Sequence, residues 1–157
     1  MSINAKQVNP VATRVFMGTL TDGVNLHDGL AQVARQNDIQ AATFEMLGGL
    51  HRVEFTAYDF TTQTRLEPLI FERAMEIVAG HGTISLLDDT LHVHIHLAVA
   101  FRDDSAAHGI SVVGGHAATA SAYAVEFTMT AYDGAPALRG HHEATGLRLW
   151  DMPAITE

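Results

Sequence analysis

Apolar and polar positions alternate along most of this chain, and an alternation of period two marks half-buried strands. Val11–Leu20, VATRVFMGTL, carries β-branched and aromatic residues and predicts a first strand. Asp22, Gly23 and Asn25 then supply a turn and a helix cap. Leu26, Leu30, Val33 and Ala34 follow at helical spacing, which predicts an amphipathic helix over Leu26–Gln36. Ile39–Leu47 and Leu50–Phe60 return to strand character, with Gly48-Gly49 as a bend between two strands. Leu66–Val78 fits helix or strand equally by periodicity. Thr83–Leu87 and Leu91–Phe101 pair as a hairpin about Asp88-Asp89-Thr90.

Arg102–Gly109 is a charged loop, Ile110–Val113 leads into Gly114-Gly115-His116, and Ala117–Ala122 is small and without pattern. In Tyr123–Tyr132, Val125, Phe127 and Met129 alternate with Glu126, Thr128 and Thr130, the clearest half-buried strand of all. Asp133-Gly134-Ala135-Pro136 turns the chain, and Leu147, Leu149 and Trp150 predict one last short strand. The pattern as a whole predicts one strand-rich domain with one helix.

A length of 157 residues supports one domain with a real core, and 47% hydrophobic against 17% charged residues indicates a globular chain. So low a charged fraction suggests that another subunit covers part of the apolar surface. The net charge of −9 repels phosphate backbones at long range, a handicap for autonomous DNA binding. The absence of cysteine removes thiolate ligands and cysteine nucleophiles and fits a reducing compartment. No apolar run approaches the roughly 18–20 residues needed to span a bilayer. The polar lead-in MSINAKQVNP, residues 1–10, lacks a secretory apolar region, so the expectation is a soluble, cytoplasmic protein with no membrane partner.

Histidine is the unusual count. Protonating all ten would carry the net charge from −9 to +1, so surface electrostatics should change steeply near pH 6.5. Three of them stand in Leu91–Phe101, LHVHIHLAVAF, where Val93, Ile95, Leu97 and Val99 share one face and His92, His94 and His96 the other. The aliphatic face belongs to the core. Neighbouring imidazoles roughly 6.5–7 Å apart along a strand can converge on an ion about 2.0–2.1 Å from each nitrogen. His92 and His96 are about 13 Å apart by the same rise, too far to share one ion. The third ligand must come from elsewhere, and His116, presented by Gly114-Gly115, is the best candidate. A site of His92, His94 and His116 would leave a fourth zinc position to water, a carboxylate or another subunit.

Other features are less specific. Gly48-Gly49 and Gly114-Gly115 lack the spacing of phosphate-binding loops, and no serine stands in a GxSxG elbow. Glu45 and Glu126 could assist a metal site as ligand or base, or simply face solvent. His141-His142 point to opposite faces of a strand and cannot share an ion. His27, His51, His81 and His108 read as solvated or locally bonded, and Trp150 as an anchor for the tail.

With His92-Val93-His94, Leu97-Ala98, Gly114-Gly115-His116 and Ala124-Val125-Glu126, the chain resembles the plant and prokaryote conserved (PPC) domain family. The resemblance covers residues 11–133 and leaves 134–157 as an extension packed on the domain or on a neighbouring subunit. It implies an α/β (α+β) fold, a largely antiparallel sheet flanked by one or two helices, assembled as a homotrimer. It also implies a divalent metal such as Zn at His92, His94 and His116, with His96 standing where a small polar residue is usual.

Plant members of the family join DNA-associated complexes through AT-hooks, and no such motif occurs here. Three functions follow as expectations: a homotrimeric binding module for a metal or small anionic ligand, a metal-dependent hydrolase-like enzyme, or a nucleic-acid binder. The last would need a basic patch among Arg14, Arg35, Arg52, Arg65, Arg73 and Arg139.

Overall fold

The chain runs from β1 (Thr13–Leu20) through α1 (Leu26–Gln36), β2 (Ala42–Thr56), β3 (Tyr58–Asp59), β4 (Thr64–Arg65) and β5 (Leu69–Leu87) to β6 (Thr90–Arg102), β7 (Ile110–Tyr132), β8 (Leu138–His142) and β9 (Leu147–Trp150). This computed structural model describes residues 12–153, so the polar lead-in over 1–10 lies outside the described residues. β2 pairs with β5 on one side and β7 on the other, and β6 joins β5 to β7, so these four long strands close a barrel. β1 lengthens the sheet along the second half of β7. Every long pairing is antiparallel, whereas the short β8 runs parallel to β5 through Leu86/Leu138 and Leu87/Arg139 and carries β9 on its far edge.

The period-two pattern dictates what fills the barrel. Val93, Ile95, Leu97 and Val99 of β6 are buried together with Phe44, Leu50 and Val53 of β2 and Val125, Phe127 and Met129 of β7. Each such side chain contributes about 1.5–3 kcal/mol when fully removed from water. The alternate residues of β6, among them the three histidines, therefore stand on the outer wall.

The helix starts where the sequence predicts. The Asn25 side chain accepts from the backbone N–H of His27 at 2.9 Å and of Asp28 at 3.2 Å. Its amide also donates to Thr119 Oγ1 at 2.7 Å, so the cap ties α1 to β7. Leu26, Leu30 and Ala34 are buried, and α1 packs on β6 and β7.

Several boundaries differ from the sequence expectation, for one reason. Glycines taken as breaks lie inside continuous strands, because closing so small a barrel requires bulges and close backbone approach rather than chain reversal. Gly48 sits in β2 at a register shift with φ +126, and a Cβ there would meet the Ala124 carbonyl oxygen at 2.2 Å. Gly82 lies inside β5, where a Cβ would stand 2.1 Å from the carbonyl oxygen of His94. The ambiguous Leu66–Val78 segment enters β5 at Leu69 and is strand from there on, and Ala117–Ala122 is the middle of β7. One helix, rather than one or two, is present among the described residues.

Candidate metal centre

Register decides which histidines meet. Asp88 and Asp89, at φ +49 and +59, form a two-residue turn between Leu87 and Thr90. Counting back from that turn, His92 stands opposite Ser85, His94 opposite Thr83 and His96 opposite His81. On its other edge β6 pairs with β7, and there His96 lies directly opposite His116. His81, His96 and His116 thus form a row across three strands, with His94 one step along the strand.

Ring nitrogens of His94, His96 and His116, one from each, all lie within 4.8 Å of one another and could hold a metal ion. Ring centroids are 4.8 Å apart for His94 and His116, 5.5 Å for His96 and His116, and 5.1 Å for His94 and His96. Nitrogens on a tetrahedral ion at about 2.0–2.1 Å stand roughly 3.4 Å apart, a difference that rotation of the rings can close. An all-imidazole donor set suits zinc, copper, iron or nickel.

Electrostatics favour the form that binds. Burial pushes the His94 imidazole down to about 3, helped by the neighbouring charges of His116 and Arg139. Burial likewise pushes His116 down to about 4, with Arg65 and His96 adding to the effect. His92 and His96 are also lowered, chiefly by burial. Neutral imidazoles keep their lone pairs for a cation. These four rings therefore resist protonation near pH 6.5 and contribute little to the expected change there.

The sequence-derived set of His92, His94 and His116 differs from this triangle by one residue. The structure brings His94 and His116 together, adds His96, and leaves His92 beside them with its ring 6.1 Å from that of His94. His92 is displaced by four residues from the row that contains His116, about 13 Å along a strand. The turn at Asp88-Asp89 sets only the β5/β6 register, whereas the β6/β7 pairing that places His96 opposite His116 joins distant segments and has no local signature.

Two other histidines belong to the neighbourhood, and no local pattern marks them. His81 stacks on His96 with centroids 6.3 Å apart. His27 on α1 has a buried Nδ1 without a hydrogen-bond partner among the described residues, and burial lowers its proton affinity. Its charge would weaken protonation of both His92 and His116. His51, by contrast, bonds Asp22 at 2.7 Å on the surface.

Glu45 and Glu126 do not join the triangle. Glu45 stands opposite His81 in the β2/β5 register, and both carboxylates line a separate cleft with Met17, Leu47 and Val78. Three of the six candidate arginines are engaged locally. Arg14 is paired with Asp133 at 2.8 Å, Arg52 bridges Glu54 and Glu72 at 3.0 Å, and Arg73 covers the Phe101 ring at 4.4 Å. No helix among the described residues is long and apolar enough to cross a membrane.

A closed antiparallel barrel with one helix and histidines clustered on its outer wall defines a small class of β-domain. Residues 8–133 match the Plants and Prokaryotes Conserved (PCC) domain, and the chain belongs to that family, the PPC family of the sequence resemblance. Among solved structures, the metal-containing protein AF0104 from Archaeoglobus fulgidus is similar, with 24% identity, a TM-score of 0.80 and coverage of 96% of this chain and 99% of that one. A plant- and prokaryote-conserved protein from Pyrococcus horikoshii is 19% identical at a TM-score of 0.77, covering 89% of this chain and 92% of its own. A protein from Ralstonia eutropha JMP134, named as a candidate DNA-binding protein, is 20% identical at 0.72, covering 87% and 90%. No curated protein matches the sequence.

Proposed function

We propose that this chain is a metal-dependent binding module, a homotrimer in which His94, His96 and His116 hold a divalent ion such as zinc. The observation that carries this reading is the convergence of three neutral imidazoles, with a ring nitrogen from each within 4.8 Å of the others. The metal-containing neighbour from Archaeoglobus fulgidus supports it. A bound ion would supply Lewis acidity and an open coordination position. The protein's part is to hold the three rings neutral and in register.

Association is supported by the surface. Met17, Leu47 and Val78, which line one cleft, are 83%, 59% and 58% exposed, an apolar cluster of the kind that marks an interaction surface. His81 lines that cleft and also the one containing His94 and His96, so a subunit docked on the patch would border the histidine site. Direct DNA binding is disfavoured by the net charge of −9 and by the carboxylates that occupy Arg14 and Arg52.

The test is metal analysis and solution mass of protein purified without a histidine tag. Near-stoichiometric metal on a trimer, lost in His94→Ala, is the expected result. A monomer that takes up no zinc at micromolar concentration would overturn the proposal.

A further inference from the structure

Beside the histidine triangle lies a cleft of about 710 Å³, within the size range of small-molecule sites. One wall is the outer face of β5 and β6 with His81, His94 and His96. The other is the β8–β9 hairpin, which contributes Arg139 and Trp150. These two are directly opposite in the β8/β9 register. Both lie beyond residue 133, where the match to the family domain ends.

Arg139 is the unexplained group in this cleft. Its Nε donates to Ser85 Oγ at 2.8 Å, Nη2 to Thr83 Oγ1 at 3.1 Å and Nη1 to the Arg148 carbonyl at 2.9 Å. All three acceptors are neutral. Of the five guanidinium donors, one remains on each terminal nitrogen without a protein acceptor among the described residues, available to an oxyanion. No carboxylate among the described residues lies within salt-bridge distance of it, although the side chain is half-buried. A half-buried cation without an anion is costly to maintain. Arg139 is also held next to the histidines, because Thr83 is the cross-strand partner of His94.

We propose that Arg139 is an oxyanion-binding residue: the cleft takes a small molecule whose carboxylate or phosphate group sits on this guanidinium. An apolar part of that molecule packs against Trp150, and the histidine edge is within its reach. This deepens the metal-binding reading by naming the ligand class of the same site. It does not require the ion, since the guanidinium is held by Ser85, Thr83 and the Arg148 backbone.

Trp150 is the single tryptophan of the chain, so its fluorescence reports on the cleft alone. The experiment titrates the full chain, metal-free and zinc-loaded, with benzoate and phenyl phosphate, and uses benzamide as the neutral control. A saturable change with at least one anion and none with benzamide is expected. Arg139→Gln should weaken that anion by about tenfold or more, with Arg139→Lys in between.

If Arg139→Gln does not fold, the side-chain Nε–H resonance of Arg139 in the wild-type protein should shift with the anion and not with benzamide. Equal binding of benzamide, unchanged affinity in Arg139→Gln, or no response to either anion in either metal state overturns the inference. Anion binding by a protein that takes up no zinc would leave this inference standing while the metal reading fails. Zinc uptake without any anion response would do the reverse.

Discussion

His96 of β6 and His116 of β7 stand directly opposite each other in antiparallel register, their rings 5.5 Å apart. Two segments separated by the whole Arg102–Gly109 loop are thereby brought to one point. His94, one step along β6, completes the triangle.

This relationship separates His96 from His92 in a direct comparison. His96→Ala should weaken zinc binding by about 100-fold or more, since direct ligands matter at least as much as the outer partners whose loss costs 10–100-fold. His92→Ala should leave stoichiometry unchanged. Metal titration of the two variants decides, and equal losses would mean that His92 also reaches the ion.

Acid should release the metal and destabilise the metal-free protein. The unfolded chain protonates its histidines near 6.5, whereas the folded chain resists until about 3 at His94 and about 4 at His116. Across that window the unfolded state binds more protons, so stability is greatest above pH 6.5 and falls as the pH is lowered toward 4. The melting temperature of metal-free protein should fall from pH 7 to pH 5, and less steeply in His94→Gln. Half-release of metal should lie below the ordinary histidine pKa of about 6.5. A melting temperature that rises on acidification would contradict this.

Gly82→Ala should destabilise the fold by about 2 kcal/mol or more, because its methyl group must displace backbone rather than a side chain. The obstacle is the carbonyl oxygen of His94 at 2.1 Å from the new Cβ, so the strand that carries two of the three clustered histidines has to move. Chemical denaturation would measure the loss, and zinc affinity should fall with it. A variant as stable as the wild type would show that β5 and β6 can separate at this point.

Leu47→Glu should dissociate the proposed trimer. Leu47 is 59% exposed beside Met17 and Val78, so a carboxylate there costs the isolated subunit little and an apolar contact a great deal. Light scattering should show the mass fall toward 16.9 kDa while far-ultraviolet circular dichroism is unchanged. A persistent trimer would place the contact on another face.

Local pattern made much of this molecule legible. Asn25 and the spacing of Leu26, Leu30 and Ala34 announce α1, and the alternation about Val93, Ile95 and Leu97 announces β6 with its histidines outward. Gly48 misled because a glycine that turns the chain and one that lets two backbones approach look alike in a sequence. Arg139 was visible only as one arginine among several. Its place beside Thr83 and Ser85 depends on β8 docking in parallel on β5, a long-range pairing without a local signature.

The sequence by itself determined the strand-rich class, the helix over Leu26–Gln36, the outward face of the β6 histidines and the family, since these follow from spacing and short motifs within one segment. Tertiary structure alone decided that His96 rather than His92 completes the triangle, that His81 and His27 attend it, and that Arg139 and Trp150 wall its cleft. The physical reason is register: a side chain's neighbours across a sheet are set by hydrogen bonding between distant strands, and a slip of one residue would give every imidazole a different partner.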